Sequence, residues 1–280
     1  MSSTEWQVER LDLDAYLARI GYTGPREATE ATLSALQRAH IASIPFENLD
    51  IILGRGIDVD LEAVQAKLVG RKRGGYCYEH CMLFGAVLEH FGFDVDRLMA
   101  RTGDDLEHPR PRTHMTLRVR VGGQRWLSDV GFGADVLRPL PWDHSGDVHV
   151  LGGWAYQLKS MGGGHWMLRE RQGDEWQIMH SVKEDEPSHV SDVVMANHFT
   201  STHPSSPFQG HVVVIAKDEA ERRVLRDRTW TSMTPDGRAD EHQLDERGFR
   251  LALQDFGLDL PTSDVSTLWD RSAPTVGADY

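Results

Sequence analysis

Residues 73–80 of this chain read Arg-Gly-Gly-Tyr-Cys-Tyr-Glu-His, a glycine pair that leads into a cysteine. From Cys77 the apolar residues recur in steps of four, three, four and three as far as Phe91, and Gly92 follows as a typical helix stop. The spacing therefore predicts a helix that begins at or next to Cys77. The two glycines before it allow a sharp turn and a close approach of the backbone to a ligand.

The start of such a helix favours negative charge, because its backbone N–H groups carry partial positive charge. That charge stabilises a thiolate at Cys77, and the free N–H groups could also hold an oxyanion. The alternative interpretation is that Cys77 is only the first core residue of an apolar stripe, since free cysteines are often buried. Cys81 lies one turn further along and is predicted to be a core residue.

Composition narrows the class of protein. The chain has 280 residues, and its 30 lysines and arginines against 43 aspartates and glutamates give a net charge of −13. An acidic surface does not suit nucleic-acid phosphates, no stretch approaches the ~20 apolar residues that cross a bilayer, and the first thirty residues lack signal-peptide features. Two cysteines exclude a disulfide framework and suit a reducing compartment. The sequence predicts a cytoplasmic protein without nucleic-acid or membrane partners, and leaves a homo-oligomer open.

The period of the apolar residues changes along the chain. It is helical up to about residue 92, with helices predicted at 13–20, 29–41, after Asp60 and from Cys77. After residue 92 the apolar residues alternate with a period of two, which is typical of strands. The predicted strands are 115–121, 126–130, 155–160, 166–171 and 175–181. Short strands with tight turns favour an antiparallel barrel or sandwich. A helix is predicted at 188–199, strands at 212–216 and 224–230, and a helix at 246–256, and the residues after Pro261 show little periodicity. This order predicts an α+β fold in three parts.

Gly122-Gly123 is predicted to be a two-residue hairpin turn, and this turn fixes a register. Thr116 then lies opposite Asp129, and His114 becomes a same-face diagonal neighbour of Asp129 at about 7–8 Å between backbones, within reach of a hydrogen bond. A slip of one residue would place the two side chains on opposite faces. The alternative interpretation is a surface histidine beside an ordinary turn aspartate.

Together, Cys77, His114 and Asp129 have the chemistry of a nucleophilic relay. The acid orients the imidazole, whose other nitrogen faces the thiol. Residues 131–133 (Gly-Phe-Gly) come directly after Asp129-Val130 and suggest a loop beside a ligand, with Phe132 as an apolar wall. The alternative interpretation is a packed aromatic residue at a corner of the barrel. Glu47 could support Arg73 or be a solvated loop acid. Nucleotide-loop, GxSxG and HExxH motifs are absent, and no metal centre is predicted.

Four motifs in register resemble those of the arylamine N-acetyltransferases. They are Ile-Pro-Phe-Glu-Asn-Leu at 44–49, Arg-Gly-Gly-Tyr-Cys at 73–77, Thr113-His114, and Asp-Val-Gly-Phe-Gly at 129–133; the stretch 201–208 is also similar. The resemblance extends to about residue 210. At position 81 the chain has cysteine where that family commonly has asparagine.

This resemblance implies a helical bundle at 1–92 carrying Cys77, an antiparallel β-barrel at 93–200 carrying His114 and Asp129, and an α/β lid at 201–280, around a cysteine-protease-like Cys-His-Asp core. It also implies a role in xenobiotic metabolism, with acetyl-CoA as donor co-substrate and an arylamine, hydrazine or N-hydroxyarylamine as acceptor. The acetyl group would pass through an acetyl-cysteine. Implied contacts are Phe46 and Phe132 for the acceptor and Thr113, Gly131, Phe132 and Gly133 for CoA. Arg222, Arg223, Arg226 and Arg228 are candidates for the CoA phosphates.

Two other functions remain as alternatives from the sequence. A Cys-His-Asp hydrolase of the papain or transglutaminase type would use the same triad, and only exclusion of water from the acyl-enzyme separates hydrolysis from transfer. A non-catalytic binding module would contain the same residues without an activated thiol. The family motifs favour transfer.

Overall fold

The structure is a computed structural model that describes residues 5–103, 108–134 and 136–272. In chain order, the helices are α1 (Leu13–Ile20), α2 (Glu30–Ser43), α3 (Leu49–Ile52), α4 (Leu61–Gln65), α5 (Cys77–His90), α6 (Val190–Thr202), α7 (Glu246–Asp255) and α8 (Thr262–Arg271). The strands are β1 (Phe46–Glu47), β2 (Asp94–Thr102), β3 (His114–Val121), β4 (Gln124–Ser128), β5 (Leu140–Pro141), β6 (Val148–Leu151), β7 (Trp154–Gly162), β8 (His165–Gln172), β9 (Glu175–Pro187), β10 (Val213–Lys217), β11 (Arg222–Arg226), β12 (Thr229–Met233) and β13 (Ala239–Gln243).

The four predicted N-terminal helices are present; α2 continues to Ser43, two residues past its predicted end, and the short helix α3 was not predicted. Asp12 caps α1 by accepting a hydrogen bond from Ala15 N at 3.0 Å, and Gly21 ends it with φ 65°. Asp60 caps α4 in the same way, and a π-helical turn follows it at Ala66–Gly70. Gly92, with φ 88°, follows α5. Most of α5 is buried, so this helix forms the centre of the N-terminal helices.

The middle of the chain forms an antiparallel sheet that is nearly closed into a barrel. Its strand order is β5-β4-β3-β2-β9-β8-β7-β6. The apolar face of β2 and β3 packs against α5, so Leu98 and Leu117 share one core with Phe84 and Leu88. The helix that carries Cys77 therefore lies directly on the strands that carry the predicted histidine.

A second antiparallel sheet has the order β1-β10-β11-β12-β13. Helices α7 and α8 pack on it through Phe249, Leu253 and Leu268, which share a core with Leu225. Strand β1 comes from the N-terminal segment, so this sheet joins the two ends of the chain. Helix α6 spans residue 200, and the boundaries 1–92, 93–200 and 201–280 stay a prediction.

The α+β prediction is confirmed, with two local corrections in the last third of the chain. The strand predicted at 224–230 is wrong, because Asp227 has φ 51° and turns the chain between β11 and β12. The second correction concerns the residues after Pro261, where the sequence shows little periodicity and predicts no helix. Helix α8 lies there and buries Val265 and Leu268 against the second sheet.

Among the described residues, none of the helices combines the length and the apolar composition that crossing a bilayer requires.

Candidate active site

Two of the sequence motifs pair with each other in front of α5. Glu47 N donates to Gly75 O at 2.7 Å, and Gly75 N donates to Pro45 O at 3.3 Å. A Cβ on Gly74 would lie 2.1 Å from the Pro45 carbonyl oxygen, which no side chain could tolerate. The glycine pair is therefore required so that the segment containing Phe46 can pack against the cysteine turn.

A network of buried ion pairs stabilises the turn that precedes α5. Arg73 contacts Glu47 at 2.7 Å and Asp50 at 3.3 Å, and Lys67 contacts Glu79 at 2.8 Å. Burial by itself would lower the pKa of Lys67, but the surrounding carboxylates raise it above its ordinary value. Glu47 thus supports Arg73 and is not a solvated loop acid.

Cys77 is the first residue of α5 and is 3 % exposed. Its Sγ lies 3.7 Å from Thr113 O. Gly131 passes over the helix start so closely that a Cβ there would lie 2.8 Å from the Cys77 Cα. The loop after β4 is thereby pressed against the nucleophile.

Gly131→Ala is expected to displace the loop or Cys77 and to lower turnover by about 10²-fold, because small misplacements of reacting groups cost rates of this order. The measurement is kcat for acetyl transfer, compared with that of Gly70→Ala, an exposed position where an added Cβ would meet no atom within 4 Å. If G131A turned over within threefold of the unmodified enzyme, the contact with Cys77 would have no catalytic consequence.

The hairpin register is as the sequence predicts. Leu117 lies opposite Ser128 and Val121 opposite Gln124, and both turn glycines have positive φ. His114 Nε2 lies 2.8 Å from Asp129 Oδ2, and both side chains are buried. Gly131 N donates to Asp129 Oδ1 at 3.2 Å, so the loop is fixed to the same carboxylate.

The electrostatics of this pair favour a charged imidazole. Burial alone would lower the pKa of His114, but the charge and hydrogen bond of Asp129, together with a hydrogen bond and the charge of Cys77, raise it to about 10. Burial alone would raise the pKa of Asp129, but His114 and His180 hold it well below its ordinary value. The arrangement can therefore maintain an imidazolium at His114 beside the Asp129 carboxylate.

His180 on β9 is a site residue that the sequence did not predict. Its Nε2 lies 2.8 Å from the same Asp129 Oδ2 that contacts His114, and the two imidazole centroids are 4.8 Å apart. Nothing in the local sequence marks it among fourteen histidines. Only the pairing of β9 with β2 and β8 brings it to the site.

The same three residues have donor types that could bind a metal ion. The ligand atoms of His114, Asp129 and His180 all lie within 4.8 Å of one another. Each Nε2 is at hydrogen-bond distance from Oδ2, and because a carboxylate only accepts hydrogen bonds, each Nε2 carries its proton there. A proton on each of these nitrogens occupies the lone pair that a metal ion would need.

A cavity of about 650 Å³ opens onto this cluster. Cys77 and His114 lie on its wall together with four phenylalanines, Phe46, Phe132, Phe199 and Phe208. The ring of Phe132 stands edge-on to His114 at 5.1 Å, and Phe46 contacts Phe208 at 5.7 Å. No carboxylate of the described residues lines this cavity, although the chain is strongly acidic overall.

Comparison with known proteins places this site in a family. A family model described as N-acetyltransferase matches residues 29–265. The arylamine N-acetyltransferase of Mycolicibacterium smegmatis is 41 % identical over 218 residues, which cover 75 % of this chain and 78 % of that relative. The chain belongs to the arylamine N-acetyltransferase family. The resemblance seen in the four motifs is thus confirmed.

Solved structures of arylamine N-acetyltransferases agree with the fold. That of the Mycobacterium abscessus enzyme has a TM-score of 0.90 and 35 % identity, covering 98 % of this chain and 99 % of that one. That of the Mycobacterium marinum enzyme in complex with CoA has a TM-score of 0.84 and 33 % identity, covering 93 % and 98 %.

Most of the residues that the family resemblance assigns to acceptor and CoA binding lie around the 650 Å³ cavity. Phe46, Phe132, Thr113 and Gly131 all line the cavity. Gly133 is not among the lining residues; it has φ 87°, and a Cβ there would lie 2.9 Å from Ile215 Cδ1. The assignments of these five residues to acceptor and CoA stay predictions.

Cys81 replaces the asparagine that is common in arylamine N-acetyltransferases. It is fully buried, and its Sγ donates to Met115 O at 3.0 Å. Cys81 therefore connects α5 to β3, the strand that begins with His114. The prediction that it is a core residue is confirmed.

Proposed function

We propose that this protein transfers an acetyl group from acetyl-CoA to an arylamine, hydrazine or N-hydroxyarylamine through an acetyl-cysteine at Cys77. The observation that carries the proposal is that Cys77 and His114 lie on the wall of one cavity with aromatic side chains, and that buried Asp129 binds His114 from behind that wall. Membership of the family supports the chemistry, and the relative from Mycobacterium marinum was solved in complex with CoA.

The first half-reaction forms the acetyl-enzyme. The Cys77 thiolate attacks the thioester carbonyl while His114 holds the proton as an imidazolium, and the carbon–sulfur bond to CoA then breaks. The departing CoA thiolate takes the proton from His114. We assign the stabilisation of the tetrahedral oxyanion to the backbone N–H groups at the start of α5, where a helix favours negative charge.

The second half-reaction transfers the acetyl group to the amine. With the thiolate acetylated, neutral His114 removes a proton from the attacking nitrogen, and Cys77 leaves as the thiolate. Asp129 orients the imidazole in both steps. The ring faces of Phe46, Phe132 and Phe208 favour a flat aromatic acceptor.

The phosphates of CoA need a local positive charge, and the four candidate arginines differ in their surroundings. Arg222 is paired with Glu170 and Arg223 with Asp255, and Arg228 stacks on Trp269 at 3.7 Å. Arg226 lines the 650 Å³ cavity and also the groove of about 460 Å³ on β11 and β12. Arg226 is therefore the residue that we assign to the phosphates.

Arg226→Gln is expected to raise KM for acetyl-CoA by about tenfold, because one charge-assisted contact to a phosphate is lost. KM for p-nitrophenyl acetate, an acetyl donor without phosphates, should not change. Arg223→Gln, whose charge already faces Asp255, is the matched control. An equal rise of KM for both donors would place Arg226 outside phosphate binding.

Hydrolysis is the alternative that the triad alone does not separate from transfer. The test supplies acetyl-CoA with and without an arylamine and maps acetylation by mass spectrometry. Transfer predicts an acetyl group on Cys77 that persists without amine and disappears when amine is added. CoA release that is equally fast without amine would identify a hydrolase.

The proposed setting is the cytoplasm. Neither cysteine is in a disulfide, and an acetyl-transfer mechanism through a thiolate requires Cys77 to remain reduced.

A further inference from the structure

Asp129 receives three hydrogen bonds in a fully buried position. His114 Nε2 and His180 Nε2 both lie 2.8 Å from Oδ2, and Gly131 N lies 3.2 Å from Oδ1. The carboxylate is thus shared between two imidazoles from different strands, β3 and β9. A relay of one cysteine, one histidine and one acid does not need the second imidazole.

The hydrogen bonds determine the protonation of His180. Its Nε2 must carry a proton because the carboxylate can only accept. Its Nδ1 is buried and has no hydrogen-bond partner among the described residues. A second proton on Nδ1 would therefore be a charged donor without an acceptor, so His180 is the neutral Nε2–H tautomer.

The other titratable groups agree with this assignment. Burial lowers the pKa of His180 more than Asp129 raises it, and the charge of His114 lowers it further. Cys77 on α5 interacts with His114 through a hydrogen bond and its charge. The neighbours of His180 across β2 and β8 are Thr102 and Leu168, neither of which ionises near neutral pH.

We propose that His180 is a positioning residue that acts through Asp129. As a permanently neutral hydrogen-bond donor, it holds the carboxylate in the orientation that His114 needs. The same hydrogen bond limits the basicity of His114. The inference rests on the proposed function for its catalytic meaning. Without the second donor, the charge on Oδ2 would be satisfied by His114 alone. His114 would then hold its proton more tightly.

A more basic His114 has opposite effects in the two half-reactions. The imidazolium–thiolate pair becomes more stable, so thiolate at Cys77 persists to lower pH. Deacetylation of the acetyl-enzyme needs neutral His114 to accept the proton of the amine, so its rate near neutral pH falls. Loss of packing alone would not move the two pH limbs in opposite directions.

The experiment compares His180→Phe with His180→Gln, whose side-chain amide can still donate to Asp129. Iodoacetamide alkylation of Cys77 and single-turnover deacetylation by an arylamine are followed against pH. For H180F we expect the acid limb of alkylation to move down, and the rising limb of deacetylation to move up, each by about one pH unit. H180Q should keep both limbs, and His165→Phe, at an exposed strand end, is the histidine control.

Several results would overturn the proposal. One is that the pH limbs of alkylation and deacetylation do not move in folded H180F, and another is that they move in H180Q as they do in H180F. A third is a nitrogen NMR spectrum of the unmodified enzyme that shows protons on both ring nitrogens of His180 at pH 7. The NMR measurement remains decisive if H180F does not fold. Alkylation needs no acetyl donor, so an alkylation shift in a protein that transfers no acetyl group would contradict only the proposed function.

Discussion

Cys77→Ser is expected to abolish acetyl transfer, with kcat/KM for acetyl-CoA falling by at least about 10³-fold. His114 is positioned to pair with a thiolate, and its pKa of about 10 depends in part on the Cys77 side chain. A hydroxyl does not ionise beside an imidazole, so no nucleophile of comparable strength replaces the thiolate.

The measurement for this variant is mass spectrometry after exposure to acetyl-CoA, combined with steady-state rates. The unmodified enzyme should carry one acetyl group on the peptide that contains Cys77, and C77S should carry none. Cys81→Ser is the matched control, because a hydroxyl at position 81 can still donate to Met115 O. We expect C81S to keep turnover within a few-fold.

An acetyl group found elsewhere on C77S, with activity retained, would mean that another residue is the nucleophile. Rates reduced equally in C77S and C81S would indicate damage to α5 instead. The two variants therefore separate the chemistry of the thiol from the packing of the helix that carries it.

The sequence was sufficient to predict that His114 lies beside Asp129 and that a helix begins at Cys77, because two local signals determine these placements. The glycine pair at 122–123 sets the register that places His114 and Asp129 on one face, and the observed pairing of Leu117 with Ser128 follows that register. The helix start at Cys77 is likewise set by local spacing. Short-range rules thus supplied both halves of the site.

Features that depend on long-range pairing were not predictable in this way. His180 reaches Asp129 only because β9 pairs with β2, through a register shift between Leu98 and Ala100 that no local motif announces. Asp227 turns the chain between two strands because its carboxylate binds His211 and Val212 N. This turn contains no glycine from which it could be predicted. Helix α8 depends on burial against the second sheet.

Asp129→Asn is expected to lower kcat by about 10³ to 10⁴-fold with the fold retained. An amide has one acceptor and one donor group, whereas Asp129 accepts on both oxygens. In either orientation the NH₂ would face an N–H, from Gly131 or from both imidazoles. The neutral amide also no longer stabilises the His114 imidazolium, so alkylation of Cys77 near neutral pH should slow as well.

The same variant has a predicted dependence of stability on pH. Burial opposes the charge of His114, but Asp129, together with Cys77, raises its pKa to about 10, above the value of about 6.5 for an unfolded imidazole. A raised pKa stabilises the folded state fully below about pH 6.5, and this contribution is lost as the pH rises through about 10. D129N should therefore lose more unfolding free energy, relative to the unmodified enzyme, at pH 6 than at pH 10.

Denaturant unfolding at the two pH values measures this difference, and Asp143→Asn, which removes a half-exposed carboxylate paired with Arg125, is the control. Circular dichroism establishes that D129N is folded before its rates are compared. Near-normal turnover in folded D129N would remove Asp129 from the mechanism. A stability loss that is equal at both pH values would show that the charge of His114 does not depend on this carboxylate.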